Sequence, residues 1–415
     1  VQALGGVIPA QSLAIGAAAT VTLANQPNSF TGLTMTNNAT FNLTGTTTLT
    51  GGVTVTSRDP SRIASLANGT MNLGGQASAA FAIGAHESNG VNFAPLQPSL
   101  NIVSVIENGG IVKSGAGVLQ LSGASTFAGG VSVTAGGLAL GGNSNPLSGV
   151  VTSGPLGTGV LTMAANTSLI TTGTWTVAND ATFLGDTLFA TTSTSAQSLT
   201  LAGVSTLPSV WNVDVLNPLL TVAIGDASPS GAGDVINKSG LGILNVGNYA
   251  GTVIVTGGIG ISDDGNGRGT FQEVVLGGPL FLTGDTAITV NRTGSGPYAR
   301  NKILQKSDLT VPGNIMSVTN LSGYGLEFTG TTTLTGPAHF SVGTASTFVQ
   351  NSGLILSGVV DDGANDYGLI KSGPGTLELR GVNTFGGAGR TLDILGGVLA
   401  ANSDAALGAA GNSVT

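Results

Sequence analysis

Cysteine is absent from this 415-residue chain, and a lack of thiols suits an exported protein and a cytosolic one equally. Charge is scarce: Asp, Glu, Lys and Arg make up 8% of residues, against roughly 25% in an average soluble domain. Lys and Arg together number 12, without a cluster, and the net charge is −8. That excludes a nucleic-acid binder, because neutralising a phosphate backbone needs a clustered basic face. No apolar run approaches the ~18 residues of a membrane-spanning helix. The opening residues, VQALGGVIPA, show no initiator Met, basic stretch or signal-peptide core. The chain therefore reads as a processed product or an excised piece.

What is present points to strands. Hydrophobic residues reach 41%, too many for a disordered protein. Glycine numbers 68, more than double the usual ~7%, but without the every-third-residue spacing of collagen. The remaining surface formers, Thr, Ser and Asn, are poor in helices for the same reason that they are good in turns: their side chains compete for backbone hydrogen bonds. No stretch carries a helical apolar period of useful length. Strands joined by many glycine turns can be built from this composition; a helical domain cannot.

Internal repetition sets the next level. GGIVKSGAGVLQLSGASTFAGG begins at Gly109, GDVINKSGLGILNVGNYAG at Gly233, and GLIKSGPGTLELRGVNTFGG at Gly368. Each copy gives an apolar strand end, Lys-Ser-Gly-x-Gly, an alternating strand, a glycine turn and further strands. The shared residues are Lys113, Ser114, Gly115 and Gly117; Lys238, Ser239, Gly240 and Gly242; and Lys371, Ser372, Gly373 and Gly375. Within the copies, apolar residues alternate with polar ones, as Leu377 and Leu379 do with Glu378 and Arg380, the period of a half-buried strand. The spacing predicts one continuous β-solenoid over 1–415 in three degenerate modules, about 1–149, 150–269 and 270–415. At roughly 20 residues per coil and ~4.8 Å per coil, an elongated rod on the order of 100 Å results. A string of immunoglobulin-like sandwiches is the competing all-β arrangement. It expects an aromatic core in each unit, whereas Trp175 and Trp211 both fall in the second module.

The third copy, LIKSGPGTLELRGVNTFGG from Leu369 to Gly387 followed by GGVL, resembles the autotransporter-associated β-strand repeat, also called the passenger-associated transport repeat. The first copy has Ala124-Ser125-Thr126-Phe127 in place of Val-Asn-Thr-Phe, and the second departs further, with Asn237 before its lysine. SGPLGTGVLTM, from Ser153, is also similar to that family. The resemblance implies a right-handed parallel β-helix, exported and displayed on the outer surface of a Gram-negative bacterium.

No catalytic residue is assigned. A lysine supplied in three copies reads as a structural stitch projecting from a turn edge, bonding carbonyls or a neighbouring carboxylate, with the following glycines supplying positive φ. Asp263-Asp264 and Asp361-Asp362 with Asp366 are the weak calcium candidates; paired carboxylates could ligate Ca²⁺ or act as a glycosidase acid and base. The aligned copies place both clusters in variable turns, where solvated carboxylates are ordinary. His86 and His339 are too isolated to suggest a metal site, and no cofactor is expected. Two functions remain open: a non-enzymatic rod serving as stalk, adhesin or fibre subunit, and a polysaccharide lyase or hydrolase on the same scaffold. The rod reading expects self-association, end to end or lateral, and contact of Thr, Ser and Asn rows with host or matrix polysaccharide.

Overall fold

The computed structural model describes residues 2–4, 11–228, 231–263, 278–292, 302–344 and 353–415, apart from 60, 62, 89, 90, 93, 148, 232, 247, 248, 306, 322 and 323. The protein falls into two compact units, Val1–Ser228 and Pro229–Thr415. Each is a β-solenoid of parallel strands. Among the described residues the only helical element is the short 3-10 turn Asp404–Leu407, and no helix is long and apolar enough to cross a membrane.

In the first unit, successive coils lie in register and side chains stack in columns. One inward column runs Leu13, Leu33, Val53, Phe81, Lys113, Val133, Met163 and Phe183. A second runs Leu100, Leu119, Leu138, Leu169, Phe189 and Val215. The alternate residues on the first row of strands face out and are small: Val112, Ser132, Thr162 and Thr182 form one line, Thr34, Thr54, Ala82 and Ser114 another. On this row period two is therefore obeyed coil after coil, because a one-residue slip would turn a whole apolar column to solvent; on the second row Ala139, Ile170 and Ala190 are buried as well, with Leu96 packed against them.

Coil length varies by insertion at the corners. Ile111 pairs with Val131, 20 residues on, whereas Val131 pairs with Leu161, 30 on. Part of that longer coil is a small hairpin closed by the antiparallel bridge between Asn145 and Ser153. At the corresponding place in the third copy stands the compact turn Asp404–Leu407. This insertion leaves the register of Val131–Val133 on Leu161–Met163 unbroken, so the coils stack there despite unequal lengths.

The second unit is wound the same way. One row joins Val235–Ser239, the start of Thr252–Asp263, the start of Leu280–Arg292, Leu309–Val311, Thr332–Leu334 and Val360–Asp361. Another joins Ile315–Asn320, Ala338–Val342, Leu369–Ser372, Thr391–Ile394 and Ser413–Val414. A third sheet holds Lys302–Gln305, Gly325–Phe328, Leu354–Leu356, Thr376–Leu379 and Val398–Ala401.

The slim interior is mostly aliphatic, with an edge-to-face Phe30–Phe41 pair and an aromatic knot in the first unit. The Phe183 ring centre lies 5.1 Å from that of Trp211 and 6.0 Å from that of Phe189, and all three side chains are buried. Trp211 satisfies its buried indole N–H by donating to Thr187 Oγ1 at 3.2 Å. Phe183→Ala is expected to destabilise the first unit by about 3–5 kcal/mol, read from urea unfolding followed by tryptophan fluorescence. The outward neighbour substitution Thr182→Ala should stay within about 0.5 kcal/mol of the parent. Equal effects at both positions would contradict the inward and outward assignment.

Candidate functional site

The three repeat lysines point into the core. Lys113 and Lys371 are 0% exposed and Lys238 2%. Lys113 occupies an apolar column between Phe81 and Val133, and Lys371 lies between Phe340 and Ile394. Of the two kinds of partner expected from sequence, the structure supplies carbonyls. Lys113 Nζ donates to Gly115 O at 2.6 Å, Gly117 O at 2.5 Å and, from the next coil, Ala135 O at 2.6 Å. Lys371 Nζ donates to Ser372 O at 2.6 Å, Gly373 O at 2.9 Å and Gly396 O of the next coil at 3.0 Å. Lys238 Nζ donates to Gly240 O and Gly242 O, each at 2.6 Å.

Glycine makes this corner possible. Gly115, Gly240 and Gly373 have φ of 78°, 80° and 75°, the left-handed turn that bends the backbone around the ammonium. Gly117 and Gly375 lie against the preceding coil: an added Cβ would stand 2.1 Å from Gly84 O and 1.8 Å from Gly343 O. Burial lowers the Lys113 pKa to about 8 and that of Lys371 in the same direction, since desolvation disfavours the charged form. Within the second unit Lys238 and Lys371 sit on different strand rows. The corner is a local device, and these lysines do not converge on one face.

Carboxylates perform the complementary task. Asp180 Oδ1 accepts from Val204 N at 2.9 Å, Asp285 Oδ1 from Ile315 N at 2.9 Å, and Asp308 Oδ1 from Thr331 N at 2.8 Å. Asp362 is 1% exposed and accepts three backbone N–H groups: Ala364 at 3.0 Å, Tyr367 at 2.7 Å and Gly386 at 3.0 Å. Asp362 is thus no solvated turn residue; it ties its own loop to the next coil. Its neighbour Asp361 accepts from Thr384 Oγ1 at 2.7 Å, and Asp366 is exposed in the left-handed region. Asp264 lies outside the described residues, and Asp263 ends the strand Thr252–Asp263. Among the described residues no three His, Cys, Asp or Glu side chains gather closely enough to hold a metal ion.

Neutral amides fill further corners, and these positions were missed in the sequence. Asn179 Nδ2 donates to Gly157 O at 3.1 Å and Gly159 O at 2.8 Å. Asn320 Nδ2 donates to Tyr324 O at 2.6 Å and Gly353 O at 3.2 Å. Asn383 Nδ2 donates to Ala406 O at 2.6 Å while its Oδ1 accepts from Val360 N at 2.7 Å, so one side chain links coils on both sides. Ser125 takes the Asn383 place in the first copy, accepting from Ile106 N at 3.0 Å. The Asn-Thr-Phe and Ser-Thr-Phe triplets carried the available signal: their polar residue sits one position from Thr and two from the buried Phe385 or Phe127.

The histidines are spoken for. His86 is buried, with Nε2 donating to Pro98 O at 3.1 Å and Nδ1 2.6 Å from the buried Ser57 Oγ. The carbonyl accepts only, so Nε2 carries a proton. His339 Nε2 lies 2.7 Å from Ser372 Oγ across neighbouring coils. On the third sheet of the second unit, Arg380 Nε meets Glu378 Oε1 at 2.5 Å and Nη1 meets Glu327 Oε1 at 3.5 Å; the Glu378 hydrogen bond raises the Arg380 pKa.

The family described as passenger-associated-transport-repeat matches residues 111–140 and 369–401, the lysine corners of the first and third copies. A 76-residue stretch is 43% identical to the adhesin BmaC autotransporter of Brucella suis biovar 1 (strain 1330), spanning 18% of this chain and 2% of that protein. The sequence thus corresponds to a small fraction of the relative's length. Both matches point to a bacterial cell-surface or extracellular protein. No solved structure matches this sequence.

Lys113→Met removes a desolvated charge but strips donors from three carbonyls. The unmade hydrogen bonds outweigh the relief, and a loss of about 1–3 kcal/mol is expected at neutral pH. The folded pKa of about 8 lies below the ordinary 10.5, so between these values the unfolded state holds a proton that the folded state lacks. Stability of the parent therefore climbs with pH across that window, a contribution the variant cannot show. Denaturation series at stepped pH should find the gap between parent and variant widening above pH 8; a gap that narrows there would contradict the lowered pKa.

Proposed function

We propose that this carrier of passenger-associated transport repeats is a non-enzymatic passenger segment, a β-solenoid stalk or adhesin element on the outer surface of a bacterium. The observation that supports this most directly is the employment of its ionisable side chains. Lys113, Lys238, Lys371, Asp180, Asp285, Asp308 and Asp362 are engaged with backbone groups at coil corners. A polysaccharide lyase or hydrolase on such a scaffold needs acids and bases directed outward from adjacent coils at a common substrate. Asp361, the outward member of its pair, is engaged with Thr384.

What the exterior offers is contact. Rows of Thr, Ser and small residues repeat at the coil spacing of ~4.8 Å, presenting hydroxyls without charge. Such rows suit hydrogen bonding to a polysaccharide or lateral association with a second copy of the protein. The printed name of the Brucella relative, an adhesin, supports the same reading. The three-module reading, about 1–149, 150–269 and 270–415, makes the protein one continuous winding.

The test uses the purified protein and a panel of acidic and neutral polysaccharides, with retention and polymer scission measured side by side. Retention or no interaction, in either case without scission, is expected. Scission abolished by Asp361→Ala would overturn the non-enzymatic reading in favour of the lyase or hydrolase.

A further inference from the structure

We infer that Asn108 is a site of spontaneous backbone-assisted deamidation, a built-in chemical ageing point one turn ahead of the first lysine corner. Asn108 precedes Gly109, is exposed, and has φ of 65°. The strand Val105–Ser114 loses its regular register on both sides of Gly109, between Glu107 and Gly109 and again between Gly109 and Ile111. Among the described residues nothing holds the Asn108 side-chain amide. Glycine brings no side chain of its own to crowd the attacking nitrogen, and the amide, held by no hydrogen bond, can turn toward it.

An internal control is present in the same protein. Asn68-Gly69 has the same dipeptide and a similar φ of 61° at Asn68. There the amide Nδ2 donates to Asn42 Oδ1 at 3.2 Å, and the Asn68 carbonyl accepts from Ser104 Oγ at 2.5 Å. Asn89-Gly90 and Asn266-Gly267 lie outside the described residues. Sequence alone ranks these dipeptides together; the hydrogen bonds separate Asn108 from Asn68.

The chemistry needs only water and base. Hydroxide removes the proton of the Gly109 amide nitrogen, which attacks Cγ of Asn108 and forms a new C–N bond. The Cγ–Nδ2 bond of Asn108 breaks and, taking a proton from water, the nitrogen leaves as ammonia, giving a cyclic imide. Water then adds at either imide carbonyl, so the product is aspartate or isoaspartate, with one water consumed and one ammonia released. The new carboxylate stands beside Glu107, whose Oε1 already accepts from Asn72 Nδ2 at 3.0 Å. Isoaspartate also inserts a methylene into the backbone, displacing the register that leads to Ile111 and Lys113. The modified coil is therefore weakened next to the corner that binds it to its successor.

The experiment incubates the folded protein in mildly alkaline buffer and follows acidic and isoaspartyl products by peptide mass mapping. Conversion at Asn108 should exceed that at Asn68 by about fivefold or more, the rate equivalent of one hydrogen bond that must break first. Asn42→Ala, which frees the Asn68 amide, should raise conversion at Asn68 by a similar factor and leave Asn108 unchanged. Asn108 retaining its amide as long as Asn68 in the parent, or converting only in denaturant, would overturn the assignment.

Discussion

Every coil of a solenoid must turn its corners, and each corner leaves backbone carbonyls and amides that the strand ladders cannot pair. Buried without a partner, each such group costs about 1–3 kcal/mol. The structure meets this constraint with side chains that supply what the backbone lacks. Lys113, Lys238, Lys371, Asn179, Asn320 and Asn383 donate to corner carbonyls. Asp180, Asp285, Asp308 and Asp362 accept from corner amides. The partner often lies in the next coil, so satisfying a corner also fastens one winding to another.

This explains how so few charges serve so long a protein. A buried ammonium is costly to desolvate, yet Lys113 reaches acceptors on its own turn and on the following coil. Its aliphatic stem meanwhile fills a place in an apolar column between Phe81 and Val133. One residue thus acts as core filler and as cross-coil donor, a combination that a shorter amide cannot match at the same position. The outward rows on the first row of strands in the first unit are mostly Thr, Ser and Ala, whose side chains are small and uncharged.

Much of the fold was legible in the alternation of Leu377, Glu378, Leu379 and Arg380 and its counterparts, because period two carries the inside-outside assignment directly. The Lys-Ser-Gly-x-Gly corner was legible as a structural repeat for the same reason, three copies in one order. The inward direction of the lysines was not. A lysine beside a Ser-Gly turn suggests an exposed edge, and only the pairing of Lys113 with Phe81 and Val133 shows that it faces the core. In the sequence Asp362 reads as solvated because the aligned copies place it in a variable turn; its contact with Gly386 depends on a coil 24 residues later, which no local pattern encodes. Asn383 and Ser125 perform the same task with different residues, so the change of residue between the copies concealed their equivalence.

The central claim is that the repeat lysines are buried ammonium donors clasped by carbonyls of two coils. Nitrogen-resolved NMR of the lysine side chains tests it most directly, through solvent exchange of the Nζ protons. The account predicts slow exchange for Lys113 and Lys371, with scalar coupling from Lys113 Nζ to the Gly115, Gly117 and Ala135 carbonyl carbons. Exchange as fast as that of a solvent-exposed lysine, with no such coupling, would contradict it.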